Sequence, residues 1–297
     1  MSHRRRVVGL LDRPGGRALL SRAATWYARH LSRADVQVWY DGCWWHRSGS
    51  YRFPDGPRFR YFRDQFLRWR DQAEAMSRDT HEYWYHAGRP RRGETVIDVG
   101  AGRGEDVLAF SKTVGPEGRV LAIEAHPLTF GLLKRFCIGN RLDNAVPIHM
   151  ATMDRPGTVT MGDADEWTEN TVGRVGHAVP ADTLDAICRR EAPGPIGLLK
   201  MNIEGAESPA LRGAVEVLAR TRLVAVACHD FRADRGHGET YRTRRDVQAF
   251  LASQGFTVTA RASDSRDWVR DHVFGVRTSN AGRHGPPTTA LHASADV

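Results

Sequence analysis

The sequence predicts an α/β fold built on a mostly parallel sheet, with one antiparallel strand and an N-terminal helix and hairpin appendage. Three observations carry this prediction. From Thr95 onward, short β-branched runs alternate with stretches of helical periodicity. The run Ile196–Met201 is apolar at nearly every position, as a strand covered on both faces must be. Two final strand-like runs, residues 256–261 and 272–277, follow one another with no helical pattern between them, which implies one reversed strand at the end of the sheet.

The elements justify themselves in chain order. Leu19, Leu20, Ala23, Ala24, Trp26, Tyr27 and Leu31 recur at helical spacing between Gly16 and Arg33, opposite Arg17, Arg22, Arg29 and Arg33. Such a stripe suits docking onto the domain; an acidic membrane surface is the rival surface for it. Residues 36–53 alternate apolar and polar around Asp41-Gly42 and Ser48-Gly49-Ser50, which is hairpin material. Residues 59–78 read as one helix with Phe62, Phe66, Leu67 and Trp69 inward. Strands are then expected at 95–99, 119–125, 145–151, 196–201 and 223–228, separated by helices at 105–112, 128–140, 182–190 and 209–220, with a further helix at 243–254. Between Asp154 and Val179 the alternation lapses into an insertion carrying a hairpin. The divisions expected are an appendage over residues 1–92, a ligand-binding domain over 93–278 and a disordered tail over 279–297.

Composition limits the alternatives. Hydrophobic residues at 41% and charged residues at 26% exclude wholesale disorder. The four cysteines, Cys43, Cys137, Cys188 and Cys228, form no C-x-x-C pair, which argues against a ribbon-type zinc site and fits a reducing cytoplasm. No apolar run approaches the eighteen or so residues of a spanning helix, and the run after Arg4-Arg5-Arg6 stops at Leu11, too early for a signal peptide. The positive charge is concentrated in residues 1–92, where 19 arginines face 9 acidic residues for a balance of +10; the remainder, with 24 basic and 26 acidic residues, carries −2, for a chain total of +8. Arginine supplies 40 of the 43 basic residues, so the excess reads as an arginine-rich surface rather than a nucleic-acid tract, although RNA remains the rival partner.

Chemistry concentrates at the ends of four strands. The first ends in Asp98-Val99-Gly100-Ala101-Gly102-Arg103-Gly104 before a helix opens. A dinucleotide site would place its third small residue at position 105, but Glu105 stands there. The spacing suits a ligand without phosphates, such as S-adenosylmethionine. Glu124 ends the second strand, twenty-two residues after Gly102, where a carboxylate accepts hydrogen bonds from ribose hydroxyls. The fourth crowds Lys200, Asn202, Glu204 and Glu207 onto the tip of an apolar strand, where open α/β sheets hold their ligands. The fifth ends in His229-Asp230; an imidazole there suits a general base, with Asp230 orienting it. His126, in the tight turn after the second strand, reads as structural, and His81, His86, His237 and the tail histidines lack metal-ligand spacing.

Taken in order, Asp98–Gly104, Glu124–Pro127, Thr183–Asp185 and Lys200–Glu207 resemble the motifs of the FkbM-type family of S-adenosylmethionine-dependent methyltransferases, over roughly residues 94–277. Asn202 stands where that pattern has Asp; an amide takes no proton and is the weaker metal ligand. The resemblance implies a seven-stranded Rossmann-like methyltransferase sheet and O-methylation of a hydroxyl on a sugar or natural product. Cofactor contacts are expected from Asp98, Gly100, Gly102, Gly104, Glu124, Asn202 and Glu204, and proton transfer from His229 and Asp230. No metal is predicted; a divalent ion on Asp230 and Glu204 is the rival way to acidify the hydroxyl. An RNA methyltransferase and a non-catalytic cofactor-binding module are the alternative functions. The aromatic residues Trp39, Tyr40, Trp44, Trp45, Tyr51, Phe53, Tyr61 and Phe62 are divided between core and a substrate lid, and Glu82–Tyr85 is expected near the cofactor.

Overall fold

The computed structural model describes residues 8–33, 35–59, 63–162, 175–191 and 193–277. The expected tail at 279–297 and the aromatic residues Tyr61 and Phe62 lie outside the described residues. The appendage opens with helix α1 (Arg17–Ser32) and a meander of β1 (Val36–Asp41), β2 (Cys43–Ser48) and β3 (Tyr51–Gly56). Gly42 and Gly49 turn its corners at φ 68° and 59°, in the left-handed region that side chains disfavour. Leu20, Ala24 and Ala28 of α1 bury against Val36, Val38 and Trp44, while Leu19 and Trp26 of the expected stripe face solvent. The single helix expected over 59–78 is two, α2 (Arg63–Arg68) and α3 (Gln72–Trp84). At the break Trp69 turns inward and stacks on the buried His46 ring.

The main sheet has seven strands: β4 (Thr95–Val99), β5 (Arg119–Glu124), β6 (Ala145–His149), β10 (Ile196–Met201), β11 (Thr221–Ala227), β12 (Phe256–Ala260) and β13 (His272–Arg277). Their spatial order is β12-β13-β11-β10-β4-β5-β6, parallel except for β13, which runs antiparallel to both neighbours. This is the mostly parallel α/β sheet the sequence predicts. Helices α4 (Glu105–Val114), α5 (Pro127–Gly139), α6 (Leu184–Glu191), the short α9 (Asp230–Asp234) and α10 (Arg244–Ser253) accompany it, with apolar layers around Phe110 and Leu133 on one face and Leu211 and Leu251 on the other. Beside it, β7 (Ala151–Thr152), β8 (Gly157–Met161) and β9 (His177–Asp182) form a small sheet whose β8–β9 pair is the expected hairpin.

Several details differ from expectation. The reversed strand is not at the edge: β12 sits one position further out, and β13 turns back into the slot between β11 and β12. A one-turn helix, α11 (Asp267–Arg270), stands between those strands where no helical pattern was legible, because four residues are too few to show a period. The helix expected over 209–220 divides into α7 (Glu207–Arg212) and α8 (Val215–Ala219) at Gly213, where a Cβ would run into the carbonyl oxygen of Met153. The third strand breaks at Met150, sending β7 into the small sheet. Among the described residues no helix is long and apolar enough to cross a membrane.

The appendage is seated on the sheet domain by specific contacts. Phe53 packs on Phe136 of α5, and Asn140 exchanges hydrogen bonds with the Arg52 backbone at 2.9 and 2.7 Å. From α3, the buried Thr80 donates to Asp106 Oδ1 of α4 at 2.7 Å.

Candidate active site

The glycine turn after β4 owes its shape to close approach. Gly100, Gly102 and Gly104 adopt φ of 78°, 58° and 100°. A Cβ on Gly100 would collide with the backbone carbonyl of Asn202, and one on Gly104 would stand 2.6 Å from a Phe136 ring carbon. Glycine therefore lets the tips of β4 and β10 meet and the turn rest on α5. The amides of Gly100 and Ala101 donate to the Ile123 carbonyl at 2.9 and 3.0 Å, which ties the turn to the end of β5.

Beneath it lies a buried ion pair. Asp98 and Lys200 are register partners on β4 and β10, with Lys200 Nζ 2.7 Å from Asp98 Oδ1. The same ammonium donates to the Gly100 carbonyl at 2.9 Å and stands 3.7 Å from Asp106 Oδ2. Burial pushes the Asp98 carboxyl up to about 6 while Lys200 draws it back. For Lys200 burial opposes the charge, but Asp98 and Asp106 outweigh it and hold the ammonium above its ordinary range.

Glu124, 8% exposed, accepts from the amides of Gly102 (3.0 Å) and His126 (2.8 Å), one on each oxygen. Each oxygen keeps a further lone pair for a hydroxyl donor. Burial raises this carboxyl to about 7 against the pull of those two amides and of Lys200.

Two cavities open at these strand tips. The first, about 920 Å³ out to open solvent, is lined by Gly100, Gly102 and Glu124 at its centre. Met150, Met153 and Met161 form an apolar end, and Glu105, Asp106, Asn202 and Glu204 a polar one. Two buried polar atoms on its walls, Thr152 Oγ1 and Asn202 Oδ1, have no hydrogen-bond partner among the described residues. The second, about 880 Å³, is walled by Tyr83, Trp84, Phe231, Trp268, His229 and His272. Asp106, Asn202 and Glu204 line both.

The expected cofactor residues thus divide. Gly100, Gly102, Glu124, Asn202 and Glu204 line the first cavity, whereas Asp98 and Gly104 stand behind its wall as supports. Glu204 is held at φ 54°, in a left-handed conformation, and its two oxygens lie 3.1 Å from His229 Nε2 and 3.1 Å from Arg232 Nε. His229 lines the second cavity, but both its nitrogens face carboxylates: Nε2 meets Glu204 and Nδ1 meets Glu207 at 3.0 Å. Burial alone would lower this imidazole; the two glutamates raise it to about 9. Asp230 does not orient it. Its Oδ1 accepts the amides of Thr243 and Arg244 at 3.0 and 2.9 Å, which caps α10. The orienting carboxylates are Glu204 and Glu207 instead.

Sequence reasoning passed over Asp106, Thr152, Trp268 and His272. The strand-tip rule that found Glu124 would have flagged the segment after β6, and so Thr152. His272 escaped because β13 is reversed: its first residue, not its last, lies at the ligand edge.

Comparison with known proteins now bears on this geometry. Residues 98–258 match the methyltransferase FkbM domain. No curated protein gives a significant match. Among solved structures, the chain is similar to an S-adenosylmethionine-dependent methyltransferase from Aquifex aeolicus, at 19% identity over 70% of this chain and 90% of that one, TM-score 0.38. It is also similar to Aeropyrum pernix fibrillarin with bound S-adenosylmethionine, at 16% identity over 81% and 92%, TM-score 0.38. A third is an S-adenosylmethionine-dependent O-methyltransferase from Thermotoga maritima, at 13% identity over 69% and 64%, TM-score 0.39. The family match runs from Asp98 at the foot of the glycine turn to β12, across more than half of the chain, and the protein belongs to the FkbM methyltransferase family.

Proposed function

We propose that the chain transfers a methyl group from S-adenosylmethionine to a hydroxyl of a small molecule, a sugar or natural product. The observation that carries this is the meeting of two cavities at Asp106, Asn202 and Glu204, one fitted to the donor and the other open to an acceptor.

The residues fit that cofactor. Glu124 offers paired acceptors for a ribose diol. The methionine-lined end suits a flat purine, with Thr152 Oγ1 free to bond its edge. The unpartnered Asn202 Oδ1 and the carboxylates of Asp106 and Glu204 suit the ammonium of its amino-acid end. Bound there, the cofactor supplies a methyl carbon activated by a sulfonium.

The protein's own work is then mainly to position. Lys200 fixes the turn through Gly100, and His229 with Arg232 fixes Glu204. Orientation can contribute roughly 7–11 kcal/mol, against a factor of about 10²–10⁴ from a general base. The rings of Tyr83, Trp84 and Trp268 offer faces on which a sugar or polyketide-like acceptor stacks. Tyr83 and Trp84 come from α3, so residues 1–92, taken as a separate appendage, would contribute the acceptor wall.

The test is incubation with labelled S-adenosylmethionine and fractionated cell extract, followed by identification of the labelled product. A methyl ether on a small hydroxylated compound is the expected product. Label in RNA, or cofactor binding with no product in any fraction, would overturn the reading in favour of the corresponding alternative.

A further inference from the structure

The acceptor cavity needs a group to take the hydroxyl proton, and most of its polar walls have no lone pair to spare. Glu204 is held between the His229 imidazole and the Arg232 guanidinium. Asp106 accepts from Thr80 and faces the Lys200 ammonium. Asn202 has no basic site. Burial raises both the Cys228 thiol and the Tyr83 phenol, so each keeps its proton. His229 has a carboxylate on each nitrogen, which requires a proton on both.

His272 differs from all of these. Its Nδ1 lies 3.2 Å from the Val269 carbonyl, and a carbonyl only accepts, so Nδ1 carries the ring proton. The lone pair is then on Nε2, which takes no hydrogen bond among the described residues. The ring lines the cavity at the start of β13, beside Ala227 and within the same wall as Asn202. The groups facing it are Tyr83 and Trp84 from α3, Trp268 from α11 and Phe274 from its own strand. The charges that act on it are those of His229, Arg261 and Lys200.

Building on the methyl-transfer reading, we propose that His272 is the catalytic proton acceptor, through Nε2, for the hydroxyl that receives the methyl group. The hydroxyl oxygen forms its bond to the methyl carbon as the carbon–sulfur bond breaks and its electron pair stays on sulfur. The hydroxyl proton passes to Nε2, and the resulting imidazolium releases it to water. Burial first, then the neighbouring cations, lower this imidazole to about 4, so the lone pair is present throughout the neutral range. A weak base suffices, because an oxygen acquiring a methyl cation becomes strongly acidic as the bond forms.

The first measurement uses the protein without substrate. Nitrogen NMR of histidine-labelled protein, with His272 and His229 assigned from H272N and H229Q, reports the tautomer of each ring between pH 5.5 and 8. The expected result is His272 neutral with the proton on Nδ1, and His229 doubly protonated at pH 7. A proton on Nε2 of His272, or an imidazolium there at pH 7, overturns the proposal. The second uses the acceptor found by labelling. H272N and H272Q should lower kcat by 10²–10⁴ while S-adenosylhomocysteine affinity stays within twofold of wild type. Wild-type kcat in a folded variant overturns the role of His272 and leaves methyl transfer standing. Failure of the wild-type protein to bind S-adenosylhomocysteine overturns methyl transfer itself.

Discussion

The cavity under the glycine turn is walled by groups tied to one another, whereas the cavity beyond Asn202 is walled chiefly by rings. In the first, Lys200 bridges Asp98, Asp106 and the Gly100 carbonyl, and Glu124 is bonded to two backbone amides. In the second, Tyr83 meets Trp268 edge-on at 5.0 Å, and His272 meets Trp84 at 5.1 Å. The difference follows from what each must do. A fixed donor rewards a rigid polar cradle whose groups hold one another in place. An acceptor that enters and leaves rewards broad apolar faces, with few polar atoms to desolvate.

The comparison predicts its largest effect at Lys200. K200M leaves the Asp98 carboxylate buried with no cation beside it, and should lower stability by about 3–5 kcal/mol in urea denaturation. The double variant K200M/D98L removes both charges and should recover most of that loss. Equal losses in the single and double variants would show that packing, not charge, is what the pair supplies.

The two regions also differ in how far they can be read from sequence. The polar cradle stands at the forward ends of β4, β5 and β10, each preceded by a short β run, so Gly100, Gly102, Glu124 and Asn202 announce themselves by position. The acceptor wall is gathered from α3 and from the neighbouring one-turn α11 and reversed β13 at the other end of the domain, two stretches that lie far apart in the chain and share no motif. His229 was legible as a strand-end imidazole, but its two glutamates were not legible as its partners. Glu204 and Glu207 sit in the loop and first turn after β10, and only the fold brings them to the end of β11. Asp230 read as an orienting acid because it is adjacent in sequence; its chemistry is spent on the first turn of α10 instead.

The two imidazoles of the acceptor cavity should bend the stability curve in opposite senses. His229 has a folded value raised to about 9, so its stabilising contribution is complete below its ordinary 6.5 and is lost as pH rises through 9. His272 is lowered to about 4, so the folded state loses stability as pH falls from 6.5 towards 4. Each slope is at most about 1.4 kcal/mol per pH unit. Subtracting the H229Q curve from the wild-type curve should leave a fall between pH 6.5 and 9, and the H272N difference a rise between 4 and 6.5. Asp98 and Glu124, raised to about 6 and about 7, add a loss of stability with rising pH that is common to all three proteins and cancels in the differences. A flat H229Q difference would mean that the two glutamates do not hold a charged ring.

In the polar cradle, Glu124 should show a smaller and more local effect. E124A removes the acceptors proposed for the ribose, and should weaken S-adenosylhomocysteine binding by about 1.5–3 kcal/mol, or roughly 10–150-fold, in calorimetry. NAD should bind neither protein, because Glu105 occupies the place of the third small residue of a dinucleotide turn. Unchanged affinity in E124A would detach the carboxylate from the cofactor.

The smallest effect belongs to the ring wall, at Trp268. This side chain is 39% exposed and meets Tyr83 edge-on, while the Arg266 guanidinium lies 5.6 Å from its ring centre. A partly exposed aromatic pair contributes about 0.5–1.5 kcal/mol beyond its area, so W268A should fold, with its denaturation midpoint only slightly lowered. If the ring offers its free face to the acceptor, the same amount should be lost from acceptor binding. KM for the acceptor should then rise by roughly 2–12-fold. Trp268 touches none of the cradle groups, so S-adenosylhomocysteine affinity should stay at the wild-type value. That separation is the sharpest check on the division between the two cavities. A variant in which cofactor affinity falls as acceptor KM rises would mean that the rings and the cradle act as one site, and that the boundary drawn at Asp106, Asn202 and Glu204 is misplaced.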